Sequence, residues 1–110
     1  MTQQTAKENT APADMTLADL LGLIESSIPF TLLDVREPQE WQNGHIDGAQ
    51  LLPLGQLLSS PDALNGISRS LPLVVYCQHG IRSLSAVRYL REQGFDAFNL
   101  LVDWSQLDSA

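Results

Sequence analysis

The chain has 110 residues, of which 44% are hydrophobic, so it is long enough for one globular domain and too short for two ordinary ones. Its 13 acidic and 6 basic residues give a net charge of -7, which disfavours a nucleic-acid partner because no cluster of Lys and Arg is present to neutralise phosphates. No apolar run approaches the roughly 18 to 20 residues that span a bilayer, and a single cysteine excludes an internal disulfide. We therefore expect a soluble, cytoplasmic protein that binds neither nucleic acid nor membrane.

The beginning of the chain is expected to be a flexible tail. Residues 1–14 contain no large apolar side chain after Met1, so they lack the apolar segment of a secretory signal and have little to pack against a core. We therefore expect the globular domain to occupy residues 15–110.

Two patterns predict the first elements of this domain. Residues 16–26 have the spacing of an amphipathic helix behind Thr16, a candidate N-cap with Asp19 in the position of a capping-box acid. Residues 30–35 are a mostly apolar run that is too short for a helix before Pro38, so they predict a buried strand.

Shorter elements follow in the middle of the chain. Residues 37–44 predict a short helix, because they place a proline in its first turn and a glycine at its end. Residues 49–52 are a second short apolar run and predict a strand, and residues 53–60 offer one or two helical turns. Residues 61–70 carry no clear pattern.

The second half of the domain predicts the fold class. Residues 73–76, LVVY, form a continuous apolar run typical of a strand that is covered on both faces. Residues 82–93 predict a helix that Gly94 ends, and residues 95–100 predict a last strand. Strands alternating with helices indicate a small open α/β fold, a parallel sheet with helices on both faces and a ligand site at the carboxyl ends of the strands.

The only cysteine, Cys77, stands at one such strand end. A lone cysteine is most often a buried, inert thiol that packs as a small hydrophobe. Here the segment CQHGIR must turn between a strand and a helix, and Gly80 permits a positive φ within it. The N–H groups of such a loop can converge on one anion at the positive end of the helix dipole, and Arg82 adds a cation. A thiol in that position has a lowered pKa, and the thiolate is its reactive form.

At this point four ordered motifs resemble those of the single-domain rhodanese-like sulfurtransferases. They are LLDVREPQEW at 32–41, GHIDGAQLLP at 44–53, VVYCQHGIRS at 74–83 and YLREQGFDAFNL at 89–100. The resemblance implies a rhodanese-like parallel-sheet domain in which Cys77 takes a sulfane sulfur from a small anionic donor such as thiosulfate. The cysteine becomes a persulfide and passes that sulfur to a thiophilic acceptor, usually a thiol or a carrier protein.

The residues of the loop suit this implied chemistry. An anionic persulfide needs hydrogen-bond donors that stabilise its outer sulfur and leave it accessible. The candidate binding residues are Gln78, His79, Gly80, Ile81, Arg82 and Ser83. The side chain of His79 either tunes the thiolate and meets the acceptor or is exposed and idle. One cysteine and two histidines do not supply a metal site, so we expect neither a metal nor an organic cofactor.

Two residues outside the loop are candidate supporting groups, and two others are expected to have structural roles. By resemblance, Asp34 lies near the active loop and Arg36 near the pocket mouth, where its charge attracts an anionic donor; a structural ion pair or helix cap is the alternative for Asp34. We expect His45 to be a hydrogen-bonded structural histidine and Trp41 to be the core anchor of its short helix.

Two alternatives to sulfur transfer stay open. A non-catalytic or sulfur-carrier domain of the same fold would dock on a protein partner, and the acidic composition gives this some weight. Cysteine phosphatases have a longer segment between cysteine and arginine than the four residues found here at 78–81. The shorter loop favours a single sulfur over a phosphoryl group.

The end of the chain departs from the family pattern. Val102 and Asp103 stand where the family usually has a Gly-Gly pair, so the backbone cannot freely adopt positive φ there. We expect a closing helix that is short or rearranged, with altered packing beneath the active loop.

Overall fold

A single five-stranded parallel sheet organises the computed structural model, which describes residues 13–105. The strands are β1 (Asp14–Met15), β2 (Thr31–Asp34), β3 (Gln50–Leu51), β4 (Pro72–Tyr76) and β5 (Asp96–Leu100), in the order β1-β5-β4-β2-β3. The helices are α1 (Leu17–Glu25), α2 (Pro38–Gln42), α3 (Leu54–Ser59) and α4 (Ile81–Glu92), with a 3-10 turn at Pro61–Leu64 and the start of another helix at Trp104. Within this range, every helix is too short or too polar to cross a membrane.

The central strand β4 contributes to two buried clusters, one on each face of the sheet. Leu73 and Val75 pack with side chains of α3 and α4, whereas Val74 and Tyr76 pack with side chains of α1. All four are fully buried, which explains why the run is apolar without alternation. The predicted fold class, an open parallel sheet with helices on both faces, is confirmed.

Helix ends follow the predicted signals. The N–H of Asp19 donates to Thr16 Oγ1 at 3.1 Å and the N–H of Thr16 donates to Asp19 Oδ2 at 3.0 Å, which is the expected capping box. Helix α4 ends at Glu92 and is followed by the cap residue Gln93 and by Gly94, whose φ is 93°; the N–H of Phe95 donates back to the carbonyl of Leu90 at 3.0 Å. This Schellman closure turns the chain directly into β5.

The first strand is absent from the predicted elements. Strand β1 pairs with β5, placing Asp14 opposite Asn99, and the N–H of Leu101 donates to the carbonyl of Met15 at 2.8 Å. Two residues are too few to show the alternating pattern of a strand, and β5, the strand with which they pair, lies near the other end of the chain. Residues 1–12 of the predicted tail lie outside the described residues, so the boundary between tail and domain stays a prediction.

Two Gly→Ala substitutions should change stability in opposite directions. Gly22 lies inside α1 with open space where a Cβ would stand, so Gly22→Ala should raise the free energy of unfolding by about 0.5–1 kcal/mol. Gly94→Ala should lower it by about 1 kcal/mol, because its φ of 93° is strained for any residue with a Cβ. Urea denaturation of both variants checks this, and a stabilising Gly94→Ala would contradict the assigned helix end.

Candidate active site

The thiol of Cys77 is held where β4 runs into α4. The residue follows the last residue of β4 and is only 2% exposed, while α4 begins four residues later at Ile81. Gly80 makes this tight turn possible, since it adopts φ 86° and ψ -2° immediately before the helix. A Cβ added to Gly80 would also stand 3.3 Å from a methyl group of Leu101, so both conformation and space require glycine.

Hydrogen-bond donors of the loop converge on the sulfur. The backbone N–H groups of Gly80 and Ser83 lie 3.1 and 3.2 Å from Cys77 Sγ, and the Ser83 hydroxyl lies 3.2 Å from it. Burial raises the pKa of the Cys77 thiol, but hydrogen bonds from Ser83 and from the backbone N–H groups of His79 and Gly80 lower it, and the balance lies below the ordinary value. The side chains of His79 and Ile81 are exposed.

The predicted cation Arg82 is engaged by a carboxylate on another helix. Its guanidinium donates two hydrogen bonds to Glu40 of α2, each 2.8 Å long. The bond from Arg82 is the main cause that holds the pKa of Glu40 down at about 2, helped by the backbone N–H of Glu37. The pair ties the start of α4 to α2, so most of the charge of Arg82 is balanced within the protein.

The two predicted supporting residues meet beside the loop. Asp34 and Arg36 form a buried ion pair in which Arg36 Nη2 lies 2.8 Å from Asp34 Oδ2. The same guanidinium donates to the carbonyl of Gly44 at 2.7 Å and to Gln78 Oε1 at 3.3 Å. With 3% exposure and all three of its nitrogens bonded, Arg36 contacts the loop from inside the protein. The expectation that Arg36 lies near the pocket mouth and attracts an anionic donor stays a prediction, and its guanidinium is already paired with Asp34.

Trp104, near the end of the described residues, contacts the loop. The expected rearrangement relative to the family pattern stays a prediction. The indole N–H of Trp104 donates to the carbonyl of Gln78 at 2.9 Å, and its ring lies 4.4 Å from the Arg36 guanidinium carbon. Asp103 starts the new helix by accepting the backbone N–H of Ser105 at 3.1 Å. Among described non-glycine residues only Ser27 has a positive φ, so this path needs no glycine pair.

Asn99 is a site residue that the sequence reasoning missed. It lies on β5 opposite Val75 of β4, on the face that also carries Cys77. Its side chain accepts a hydrogen bond from the Ser83 hydroxyl and donates to the carbonyl of Gly80 at 3.1 Å. An asparagine between the apolar residues Phe98 and Leu100 of a predicted strand is the signal that would have indicated it, since a buried amide needs specific partners.

The remaining candidates lie away from the sulfur. His45 is hydrogen-bonded through Nδ1 to the carbonyl of Trp41 at 3.0 Å, and the two rings stack 3.5 Å apart. Trp41 is only partly buried and outside both apolar clusters, so it is not the core anchor that we expected. Within residues 13–105, no group of three or more His, Cys, Asp or Glu side chains is placed to hold a metal ion.

Comparison with known proteins gives the family. A family model for the rhodanese-like domain matches residues 16–109. The chain is 36% identical over 107 residues to "Probable adenylyltransferase/sulfurtransferase MoeZ" of Mycobacterium tuberculosis, a match that covers 94% of this chain and 26% of that protein. It is 43% identical over 68 residues to "Thiosulfate sulfurtransferase GlpE" of Shewanella oneidensis, covering 59% of this chain and 61% of that protein. The crystal structure of a rhodanese-like domain protein from Staphylococcus aureus matches with a TM-score of 0.71 at 32% identity, over 80% of this chain and 83% of that one.

This chain is a parallel α/β domain that presents a cysteine loop at the end of its central strand, and the Staphylococcus aureus rhodanese-like domain shares its fold. The chain belongs to the rhodanese-like family, whose named members here are sulfurtransferases. It spans about a quarter of the MoeZ relative and less than two thirds of the GlpE relative.

Titration of Cys77 tests the geometry of the loop. We expect the thiol of the folded protein to ionise below the ordinary 9.0, because N–H groups are aimed at the sulfur, and to return to an ordinary pKa in urea. The ultraviolet absorbance of the thiolate, with Cys77→Ser as the blank, measures both values. Equal values in the folded and unfolded chain would show that these donors do not stabilise the thiolate.

Removal of the Glu40 carboxylate should cost stability in a pH-dependent way. Because the folded pKa of about 2 lies below the ordinary 4.5, the ion pair stabilises the fold above pH 4.5 and the contribution is lost as pH falls toward 2. Solvent screens the pair, whose side chains are 35% and 30% exposed, so Glu40→Gln should cost about 1 kcal/mol at neutral pH.

Denaturant unfolding across this pH range measures the effect. Glu25→Gln is the matched control, an exposed glutamate that forms no ion pair with any described residue. A deficit of Glu40→Gln that stayed constant down to acid pH would rule out the ion pair as its cause.

Proposed function

We propose that this domain transfers a sulfane sulfur from a donor such as thiosulfate to a thiophilic acceptor, through a persulfide on Cys77. The observation that carries the proposal is the convergence of the Gly80 and Ser83 N–H groups on one sulfur at 3.1 and 3.2 Å. These groups stabilise the Cys77 thiolate, and we propose that N–H groups of the same loop stabilise the terminal sulfur of the persulfide. The proposed binding loop is therefore Gln78, His79, Gly80, Ile81, Arg82 and Ser83.

The first half-reaction loads the cysteine. The Cys77 thiolate attacks the outer sulfur of thiosulfate and forms a new S–S bond. The original S–S bond of thiosulfate breaks, and sulfite leaves with its electron pair. No external oxidant or reductant is needed, because the outer sulfur keeps its oxidation level as it moves to Cys77.

The second half-reaction transfers the outer sulfur from Cys77 to the acceptor. A thiolate acceptor, free or carried by a protein, attacks the outer sulfur of the persulfide, and the Cys77 thiolate leaves. Stabilisation of the thiolate by the loop makes Cys77 a good leaving group in this step. The acceptor becomes the persulfide, so the protein returns to its starting state. For this reaction we propose a small donor anion and a thiol or protein acceptor as partners, with the cytoplasm as the expected compartment.

Supporting residues act by holding the loop. Arg36 reaches the side chain of Gln78, and its charge is balanced by Asp34 in the same buried pair. We propose that the two position the loop and do not contact the transferred sulfur. They would affect the rate of transfer by holding the loop in the geometry in which its N–H groups point at the sulfur.

Intact-mass spectrometry after incubation with thiosulfate tests the proposal. The expected result is a gain of one sulfur atom in the folded protein, absent from Cys77→Ser and removed by cyanide as thiocyanate. Gly80→Ala keeps the thiol but disturbs the turn, because φ at this position is 86° and Leu101 stands 3.3 Å from the new Cβ. We expect it to load about 100-fold more slowly, as when one oxyanion-type donor is lost.

Other outcomes point to the alternatives. A folded protein that takes up no sulfur would contradict the proposal and favour a docking domain that binds a protein partner. Cys77-dependent hydrolysis of an aryl phosphate would instead indicate a phosphatase. Equal loading of Gly80→Ala and the natural chain would show that the loop geometry does not drive the reaction.

A further inference from the structure

Three buried side chains form a hydrogen-bonded row behind the loop. Cys77 Sγ and Ser83 Oγ are 3.2 Å apart, and Ser83 Oγ also contacts Asn99 Oδ1. Cys77, Ser83 and Asn99 are 2%, 0% and 2% exposed, so bulk water does not compete for these bonds. In such a row the positions of the few protons decide which charge state of the cysteine is favoured.

The carbonyl of Gly80 determines the direction of the Ser83 proton. A carbonyl oxygen only accepts, so the NH₂ end of the Asn99 amide must face it, at the observed 3.1 Å from Nδ2. The other end, Oδ1, therefore faces Ser83 and also only accepts. The Ser83 hydroxyl has one proton, and while it donates that proton to Asn99 it directs only lone pairs at the sulfur of Cys77.

We propose that Asn99 is a positioning residue that competes with the Cys77 thiolate for the single proton of the Ser83 hydroxyl. The inference rests on the proposed function, in which Cys77 is the nucleophile. While Cys77 is a thiol, its S–H donates to Ser83, Ser83 donates to Asn99, and the row is complete. When Cys77 ionises, Ser83 stabilises the sulfur only by turning its proton away from Asn99, whose buried Oδ1 then loses its donor.

Two opposing influences therefore act on the same sulfur. The N–H groups of Gly80 and Ser83 favour the thiolate, whereas Asn99 restrains the third donor and favours the thiol. A thiolate with a very low pKa is a weak nucleophile, and the best attacking thiol has a pKa near the ambient pH. By holding back one donor, Asn99 thus prevents the thiolate of Cys77 from being stabilised so strongly that it becomes a weak nucleophile.

Charged groups from several elements surround this row. Asn99 Nδ2 lies 3.5 Å from an oxygen of Asp14 on β1, Arg82 of α4 interacts electrostatically with Cys77, and His79 stands in the loop. The pair of Asp34 and Arg36 lies beside the loop after β2. All of them are the same in a variant and in the chain with which it is compared, so differences between titrations report on the row itself. Because histidines commonly titrate near neutrality, the titrations are repeated in a His79→Gln background.

The first test removes the competing acceptor. Asn99→Leu frees the Ser83 proton for the sulfur, so the pKa of Cys77 should fall, with an ionisation constant about tenfold larger. If Asn99 only packed against the loop, Asn99→Leu would instead raise the pKa of Cys77, because a loosened loop aims its N–H groups less well at the sulfur. Thiolate absorbance and the pH profile of alkylation measure the shift, and circular dichroism with cooperative unfolding verifies the fold. A raised or unchanged pKa in folded Asn99→Leu would overturn the proposal.

The second test does not depend on that variant folding. Ser83→Ala should raise the pKa of Cys77 much less in the natural chain, where the hydroxyl proton is shared with Asn99, than in the Asn99→Leu background. A large rise in the natural chain would show that Ser83 already donates to sulfur, and the proposal would be wrong. Sulfur uptake by the natural chain is measured in parallel, so that a failure of the proposed function is distinguished from a failure of the role of Asn99.

Discussion

A buried sulfur held by backbone N–H groups is the interaction on which the site depends. Removing a thiolate from water is costly, and at 2% exposure Cys77 has almost no solvent to stabilise a charge. The N–H groups of Gly80 and Ser83 replace that solvent, since they are fixed in direction before any ligand arrives. Their convergence requires the left-handed turn at Gly80, which reverses the chain between β4 and the first turn of α4.

The loop is kept in this shape by partners of its carbonyl groups. The carbonyl of Gln78 accepts the indole N–H of Trp104, and the carbonyl of Gly80 accepts the amide of Asn99. Because the partners of these carbonyl groups hold them away from the sulfur, the N–H groups point at it. Residues that do not contact the sulfur therefore still determine its environment.

Positive charge near the sulfur comes mainly from backbone dipoles. Arg82 is paired with Glu40 and Arg36 with Asp34, so the guanidinium charges beside the loop are matched by carboxylates. The aligned N–H groups at the start of α4 carry no counter-ion of this kind. In a chain of net charge -7, these N–H groups still favour an anion at Cys77.

Elements that depend only on neighbouring residues could be predicted from the amino-acid sequence. The apolar run of β4, the turn through Gly80, the helix after it and the position of Cys77 between them depend on contiguous residues, and all are in the structure as the patterns indicate. The contacts that distant residues make with these elements are visible only in the tertiary structure. The burial of Arg36, the pairing of Glu40 with Arg82 and the contacts of Asn99 and Trp104 join residues separated by 16 to 42 positions. Such contacts follow from how strands and helices pack, and a one-dimensional pattern carries no record of which distant side chain fills a given space.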